Sequence, residues 1–333
     1  MAHELEVWLF GDRVGTLVLV DGQRISSATT GATALQHLPL DQVERIEVLR
    51  GPASSLYGSD AIGGVIQVFT KRGAGAPMAT GSISVGTHHT GIASAGYGGQ
   101  VGDTRFHLRA GVDSTRGFSD IRGPKGGGTY DSYNPDRDGY QQRSLGLTAS
   151  HKASGALEVG GSFLLSDTAK RNDGLNCDAS GWVCSANFDN RDKQRLQSLT
   201  AYGTYKVTPH WTSTLRIGTS ADRMRSWLLD PTIPRVTVER YATRQDQASW
   251  QNDVKLGEGL LMAALEWRGL HADTTKSLVV NDQETASANL GYQAWWGRHL
   301  VQASVRHDRV QRLGSSDTGT LGYGYKLDRK SVV

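Results

Sequence analysis

The chain has 333 residues, of which 38% are hydrophobic, with 41 glycines, 8 prolines and a formal net charge of +3. This length suffices for two domains, and many glycines with few prolines favour strands and tight turns over a linker or collagen-like sequence. The small net charge gives no argument for nucleic-acid binding. The longest nearly apolar run, residues 259–265, is far shorter than the roughly 18 residues of a membrane-spanning helix, so a helical membrane protein is excluded.

The first predicted unit begins with a strand and a loop. A β-branched and leucine-rich segment, Thr16–Val20, predicts a strand that ends at an Asp-Gly turn signal. Small polar residues over 23–34 predict a loop. Asp41, with a glutamate three residues later, has the pattern of a helix capping box and predicts a short helix. The alternating segment 43–49 predicts the next strand.

Glycines punctuate the rest of this unit. A helical turn is predicted over Ser54–Tyr57, and glycines follow it at 58, 63 and 64. Residues 65–70 then read as a last, apolar strand, and the Gly- and Ala-rich segment 73–77 reads as a linker.

Beyond the linker, the pattern changes to strands of about ten residues whose connections are alternately short and long, with one long connection predicted over 167–193. Residues 104–112 show the alternation best, with Phe106 and Leu108 on one face and Arg105 and Arg109 on the other. We count about twelve such strands between residues 80 and 327. An aliphatic face opposite a charged face, with aromatic residues near the strand ends, is typical of transmembrane β-strands.

The segments IEVLRGP (46–52) and LYGSDAIGGVI (56–66), with the strand and turn before them, resemble the plug domain of TonB-dependent outer-membrane receptors. The residues that carry this structural motif are Arg50, Gly51, Pro52, Tyr57, Gly58, Gly63 and Gly64. Most of them are expected to be scaffold, because the glycines permit tight turns. No Gly-Lys-Ser/Thr sequence follows, so a phosphate-binding loop is excluded.

The resemblance implies a mainly β fold in the outer membrane of a Gram-negative bacterium: a small α/β plug domain followed by an antiparallel transmembrane β-barrel. Receptors of this family close with 22 strands, so about 12 strands would form the first half of the barrel. The expected organisation is the C-terminal part of a plug with its linker over 1–76, barrel strands over 77–327, and a non-native tail over 328–333.

Both termini depart from the family pattern. Residues 1–4 lack the basic and apolar segments of a secretory signal, and residues 328–333 match what a sequencing-adapter oligonucleotide would encode. The chain is therefore interpreted as a fragment without the signal peptide, the TonB box, the N-terminal plug and the last strands. Such a fragment is expected not to transport by itself.

By resemblance, the intact protein takes up a scarce, bulky nutrient, energised by TonB with ExbB and ExbD of the inner membrane. The small polar loop is closest to the cobalamin-receptor branch, which implies cobalamin or a related corrinoid. The alternatives are a ferric-siderophore receptor and, in another class, a surface binding protein or phage or bacteriocin receptor without transport. No nucleophile elbow or zincin motif is present, so no enzyme is predicted.

Three groups of residues are candidates for sites. The predicted ligand-binding residues of the small polar loop are Ser26, Ser27, Thr29, Thr30 and Thr33; the alternative is a solvated loop without ligand contact. No cofactor is predicted except calcium in an extracellular loop, for which the best oxygen donors are Asp173, Asp178 and Asp189; the alternative is an ordinary soluble loop without EF-hand spacing. Cys177 and Cys184 are predicted to form a small disulfide loop; the alternative is two free thiols.

Overall fold

The computed structural model describes residues 15–28, 33, 35–119, 130–131, 136–177, 184–230, 235–275 and 281–326. A small four-stranded sheet lies near the N-terminus. Its strands are β1 (Thr16–Val20), β2 (Gln23–Arg24), β3 (Val43–Arg50) and β4 (Gly64–Thr70), in the spatial order β2-β1-β4-β3. Strands β1 and β4 are parallel, whereas the other two pairs are antiparallel.

Strand β1 is buried on both faces, which explains its continuous apolar sequence. On one face Leu17 and Leu19 pack with Val65 and two alanines next to the helical turn α1 (Ser54–Tyr57). On the other face, the core extends to the large sheet; its buried members are Val18, Val20, Ile25, Leu38, Ile66, Val68, Leu164 and Leu196. The last two residues belong to the large sheet, so one apolar core joins the two sheets.

The predicted capping box at Asp41 is wrong. Residues Leu35–His37 and Leu40–Gln42 form 3-10 turns, and no side chain caps the second of them. Strand β3 begins immediately at Val43, which leaves no room for a further helical turn. The Asp41 side chain points instead to the large sheet.

The large sheet is a continuous antiparallel array of twelve strands, as the sequence predicts. Its members are β5 (Met78–Gly86), β6 (Thr90–Val101), β7 (Thr104–Phe118), β9 (Asp138–Lys152), β10 (Leu157–Cys177), β11 (Cys184–Thr208), β12 (Trp211–Asp230), β13 (Arg235–Leu256), β14 (Gly259–Thr274), β15 (Asp282–Trp296), β16 (His299–Val310) and β17 (Gly314–Tyr325). Each strand pairs with the next, and the two-residue β8 (Tyr130–Asp131) pairs with β11 outside this path.

The predicted alternation along the strands is confirmed. Arg109 is only 9% exposed and faces the small sheet, whereas its neighbour Leu108 is 45% exposed on the opposite face. Strand β15 repeats the pattern, with Thr285 and Ser287 buried and Leu290 exposed on the outward face. Polar residues therefore line the concave face and aliphatic residues the convex face.

The long connection predicted over 167–193 is too long, because most of it is strand. Strand β10 continues to Cys177 and β11 begins at Cys184, and the pair Asp173–Asp189 belongs to their ladder. The sequence of this segment is mostly polar at successive positions, so hydropathy gives no signal for where the strands end. No helix among the described residues has the length and apolar character needed to cross a bilayer.

Candidate functional site

The small sheet contacts the concave face of the large sheet mainly through polar groups. Inward side chains of the large sheet bind the backbone of the small unit: Ser220 Oγ donates to Arg24 O at 2.7 Å, Gln245 Nε2 to Ser26 O at 3.0 Å, and Thr148 Oγ1 to Lys71 O at 2.8 Å. The backbone amide of Ala28 donates to Thr243 Oγ1 at 2.9 Å. Each such bond contributes about 0.5–1.5 kcal/mol net, so the interface is held by many weak contacts that can break in steps.

Asp41 and Gln42 attach the second 3-10 turn to strands β7 and β9. The Asp41 carboxylate accepts from Arg109 Nε at 3.3 Å and from Ser144 Oγ at 3.2 Å. Gln42 Nε2 donates to Ser144 Oγ at 3.2 Å and to Arg109 O at 3.3 Å. The network satisfies an acidic and an amide side chain that would otherwise be buried without partners.

Inward glycines of the large sheet make room for these side chains. A Cβ on Gly111 would lie 2.6 Å from Asp41 Oδ2, and one on Gly146 would overlap Gln42 Oε1 and lie 2.9 Å from its Cδ. A Cβ on Gly218 would likewise overlap Gln23 Oε1. A side chain at any of these positions would therefore displace the end of a polar side chain of the small unit.

Replacing Gly146 with alanine is expected to destabilise the seating of Gln42 by about 1–3 kcal/mol, because the added methyl overpacks the contact. The measurement is the urea midpoint for unfolding of the small unit, which is monitored by its susceptibility to protease. Gly203→Ala is the matched control, since its Cβ would meet Val159 Cγ1 at 4.0 Å, an ordinary contact. Equal midpoints for the two variants would contradict the close-approach argument.

A charged network lies where α1 and the residues after it approach strands β14 and β16. The Asp60 carboxylate accepts from Arg24 Nη1 at 2.9 Å and pairs with Arg268 of β14. Arg306 of β16 bonds Glu266 Oε2 at 2.8 Å and also donates to a backbone carbonyl of α1 at 3.3 Å. Arg24 and Arg306 are almost fully buried, so each guanidinium depends on the carboxylates beside it.

Burial lowers the pKa of Arg24 to about 10, and the neighbouring charge of Arg268 acts in the same direction, against Asp60. For Asp60, burial acts to raise the pKa, but the guanidinium groups of Arg268 and Arg24 hold it below its ordinary value. Both groups are therefore charged at neutral pH, and the ion pair between them is intact.

His37 is buried next to strand β9 rather than exposed to a ligand. Its backbone carbonyl accepts from Gln142 Nε2 at 3.0 Å. Burial, with a contribution from Lys170, lowers the pKa of His37 to about 4. The imidazole is therefore neutral at pH 7 and belongs to the attachment of the small unit.

A cavity of about 300 Å³ separates the two sheets near the shorter connections of the large sheet. Arg72, Arg105 and Arg216 line it together with Glu158 and Tyr202. Arg105 pairs with Glu158 at 3.3 Å, and Tyr202 donates to the same carboxylate at 3.2 Å. The lining is polar and suits water, so the two sheets do not form a sealed contact at this end.

A family model described as the TonB-dependent receptor plug domain matches residues 9–65, which include the whole of β1 to β3 and the glycines of the motif. This part of the chain is a TonB-dependent receptor plug domain. We therefore call the small sheet with its connections the plug, and the twelve strands of the large sheet the barrel strands. The family consists of transport receptors, which are not enzymes.

Relatives agree with this assignment. The vitamin B12 transporters BtuB of two Vibrio cholerae serotype O1 strains, O395 and El Tor Inaba N16961, are each 28% identical over 316 residues, covering 93% of this chain and 48% of the transporter. The chain thus spans about half the length of the curated relatives it matches.

Solved structures show the same fold at lower identity. The siderophore receptor PirA of Acinetobacter baumannii superposes with a TM-score of 0.70 at 17% identity, covering 95% of this chain and 52% of that one. The ferric enterobactin receptor PfeA of Pseudomonas aeruginosa, in complex with BCV-L6, gives 0.73 at 18% identity, with coverage of 95% and 53%.

The predicted ligand-binding residues are in part described. Ser26 Oγ accepts from Gln245 Nε2 at 2.9 Å, and Thr33 Oγ1 donates to Ile25 O at 2.6 Å. Ser27 is half-buried and also has a contact within the protein. Thr29 and Thr30 lie outside the described residues. The binding role of all five stays a prediction.

Of the three predicted calcium ligands, Asp173 lies close to two carboxylates that the sequence analysis did not select. Asp173 lies with Asp136 and Asp138, and oxygen atoms of the three carboxylates are within 4.8 Å of one another. Asp189 is the cross-strand partner of Asp173 in the backbone ladder, but its side chain is not described, and Asp178 lies outside the described residues. Asp136 lies just before β9 and Asp138 is its first residue, so both are far from Asp173 in sequence and were missed. Calcium binding stays a prediction.

The two cysteines end the ladder of β10 and β11. Cys177 pairs directly with Cys184 in the backbone register. Their side chains lie outside the described part of the chain. The disulfide stays a prediction.

The plug motif has the backbone that its glycines predict. Gly51, Gly58 and Gly64 all have positive φ, at 92°, 87° and 148°. Gly58 ends α1, and a Cβ there would lie 3.4 Å from the guanidinium groups of Arg24 and Arg306. These glycines shape the turn that carries Asp60 into the charged network, and the scaffold role of the whole motif stays a prediction.

Proposed function

We propose that the intact protein is an outer-membrane receptor for the energy-coupled uptake of a scarce, bulky nutrient, with cobalamin or a related corrinoid as ligand. The observation that carries this proposal is the plug held on the concave face of the barrel strands by separable polar contacts. TonB, with ExbB and ExbD in the inner membrane, would supply the force that rearranges the plug. The names of the curated relatives support the corrinoid.

A membrane location is supported by the convex face of the barrel strands. Large apolar side chains are exposed there, among them Leu199 at 52%, Leu215 at 57% and Ile217 at 55%. Exposed apolar surface on this scale is stable only against lipid or another apolar partner. Exposed Trp250, Trp295 and Trp296 lie near the shorter connections, where an interfacial aromatic belt would be.

Corrinoid binding by the intact protein is the test of this proposal. We expect cyanocobalamin to bind in equilibrium dialysis with sub-micromolar affinity, and more tightly when calcium is added. Ser26→Ala should weaken binding about 2- to 10-fold, because the loop loses one hydrogen bond to Gln245. Ser82→Ala is the matched control, since that hydroxyl bonds Ser94 on neighbouring barrel strands.

The other outcomes separate the alternatives. Binding of a ferric siderophore in place of cyanocobalamin would keep the receptor role and overturn the corrinoid. Corrinoid binding without TonB-dependent accumulation in cells would favour a surface receptor without transport, such as one used by phage or bacteriocins.

A further inference from the structure

A cluster of cations covers the convex face of four neighbouring barrel strands near the longer connections. Its members, which we call the basic patch, are Arg171 on β10, Arg191, Lys193 and Arg195 on β11, Arg223 and Arg225 on β12, and Arg240 and Arg244 on β13. All eight side chains are exposed. We propose that the basic patch binds the phosphate groups of an anionic membrane lipid.

The outward orientation follows from the residues between these cations. Gln194, Ser220 and Gln245 occupy the opposite parity on β11, β12 and β13, and all three are buried. Ser220 and Gln245 bind the plug backbone. Because side chains alternate along a strand, the cations must point away from the plug.

The strand register places like charges directly opposite one another. Lys193 pairs with Arg225, and Arg225 pairs in turn with Arg240 on the next strand. Arg195 likewise faces Arg223. Directly opposed like charges destabilise a sheet, and an anion bound between them would reverse the sign of that interaction.

Carboxylates lie at the margins of the basic patch rather than at its centre. Arg195 pairs with Asp167 at 2.6 Å on the β10 side, and Arg244 pairs with Asp246 at 3.1 Å on the β13 side.

At the centre of the basic patch, two of the cations contact an aromatic ring of a described residue. Lys193 and Arg225 lie 5.7 and 5.8 Å from the centre of the Trp227 ring. A tryptophan between cations is the composition of a membrane interface, where the ring lies at the headgroup level.

The position of the basic patch on the convex face favours a lipid headgroup as its ligand. On the same convex face, the strands become apolar toward the shorter connections, with Leu199 following Arg195 and with Ile217 and Leu215 preceding Arg223. With that apolar band in hydrocarbon, the cations lie at the phosphate level of the bilayer. Guanidinium groups bind phosphate oxygens in pairs, so this composition favours phosphate.

This inference rests on the membrane location proposed above, and lipid selection by the full chain tests it. The chain in neutral detergent is titrated with dioleoylphosphatidic acid or with dioleoylphosphatidylcholine, and bound lipid is counted by native mass spectrometry. We expect tighter binding of phosphatidic acid. The triple variant K193Q/R225Q/R240Q should lose at least tenfold in that affinity, since each cation near a headgroup contributes about fivefold.

A charge-matched variant supplies the control. K152Q/K206Q/K255Q removes three exposed cations beside the shorter connections and should bind phosphatidic acid as the wild type does. Equal losses in the two triple variants, or no preference over phosphatidylcholine, would overturn the basic patch as a lipid site. Competition by millimolar inorganic phosphate without lipid selectivity would show a free-phosphate site and overturn the lipid. Failure to bind either lipid would instead reject the membrane location.

Discussion

Replacing Gly64 with alanine is expected to destabilise the plug by about 3–5 kcal/mol, the largest effect predicted for this chain. Gly64 begins β4 with a φ of 148°, a backbone conformation that a residue with a Cβ rarely adopts. A Cβ would also overlap the backbone carbonyl oxygen of Leu49. That carbonyl belongs to β3, so it cannot move without breaking the ladder between the two strands.

Hydrogen exchange measures this effect without requiring activity. Amides of β1 and β4 should exchange at least a hundredfold faster in Gly64→Ala, whereas the barrel strands stay protected. Gly63→Ala is the control at the adjacent position: its φ is not left-handed and its nearest atoms would lie at 3.4 Å. Similar exchange in the two variants would show that β4 tolerates a side chain at Gly64.

Replacing Asp60 with asparagine is expected to destabilise the attachment of the plug by about 2–3 kcal/mol at pH 7. The variant leaves the guanidinium groups of Arg24 and Arg268 close together without their shared carboxylate. The Arg24 side chain is 9% exposed and cannot recover hydration, whereas Asp60 is 46% exposed, which keeps the effect below that of a fully buried pair. Calorimetry in detergent should show the plug transition at lower temperature.

The pH dependence of this variant has a defined sign. Because the folded-state pKa of Asp60 is lowered from 3.8, the carboxylate stabilises the folded state above that value. Its contribution is lost as the pH falls through the lowered pKa, so wild type and Asp60→Asn should converge below pH 4. Asp246→Asn is the control, since it breaks an exposed pair with Arg244 worth about 0–1 kcal/mol. A difference that persists unchanged at pH 3 would contradict the role of the carboxylate charge.

Sequence reasoning was accurate where periodicity or glycine placement carries the signal. Alternation along β7 correctly predicted that Arg109 and Leu108 lie on opposite faces of the strand. It failed where a local pattern competes with the fold: Asp41 reads as a helix cap, but its carboxylate is used by Arg109 across the interface. It also ended β10 too early, because the ladder up to Cys177 is polar on both faces.

The candidate site was predicted only in part. Ser26 and Thr33 were chosen for their hydroxyls, and their binding role stays a prediction. The sequence offered no signal that Gln245 would bind Ser26. Asp60 was noted only as part of a glycine-rich motif. Its pairing with Arg268, 208 residues away, depends on how the barrel strands curve around the plug.

The sequence by itself determined the family, the order of the two sheets and the two-faced character of the strands. These features are local: a glycine with positive φ, an apolar run or a two-residue period is set by neighbours in the chain. Only the tertiary structure decided which inward glycines receive plug side chains, where the buried charges pair, and that Lys193, Arg225 and Arg240 form one surface. Those contacts depend on strand register and on packing between residues far apart in sequence, which no local pattern encodes.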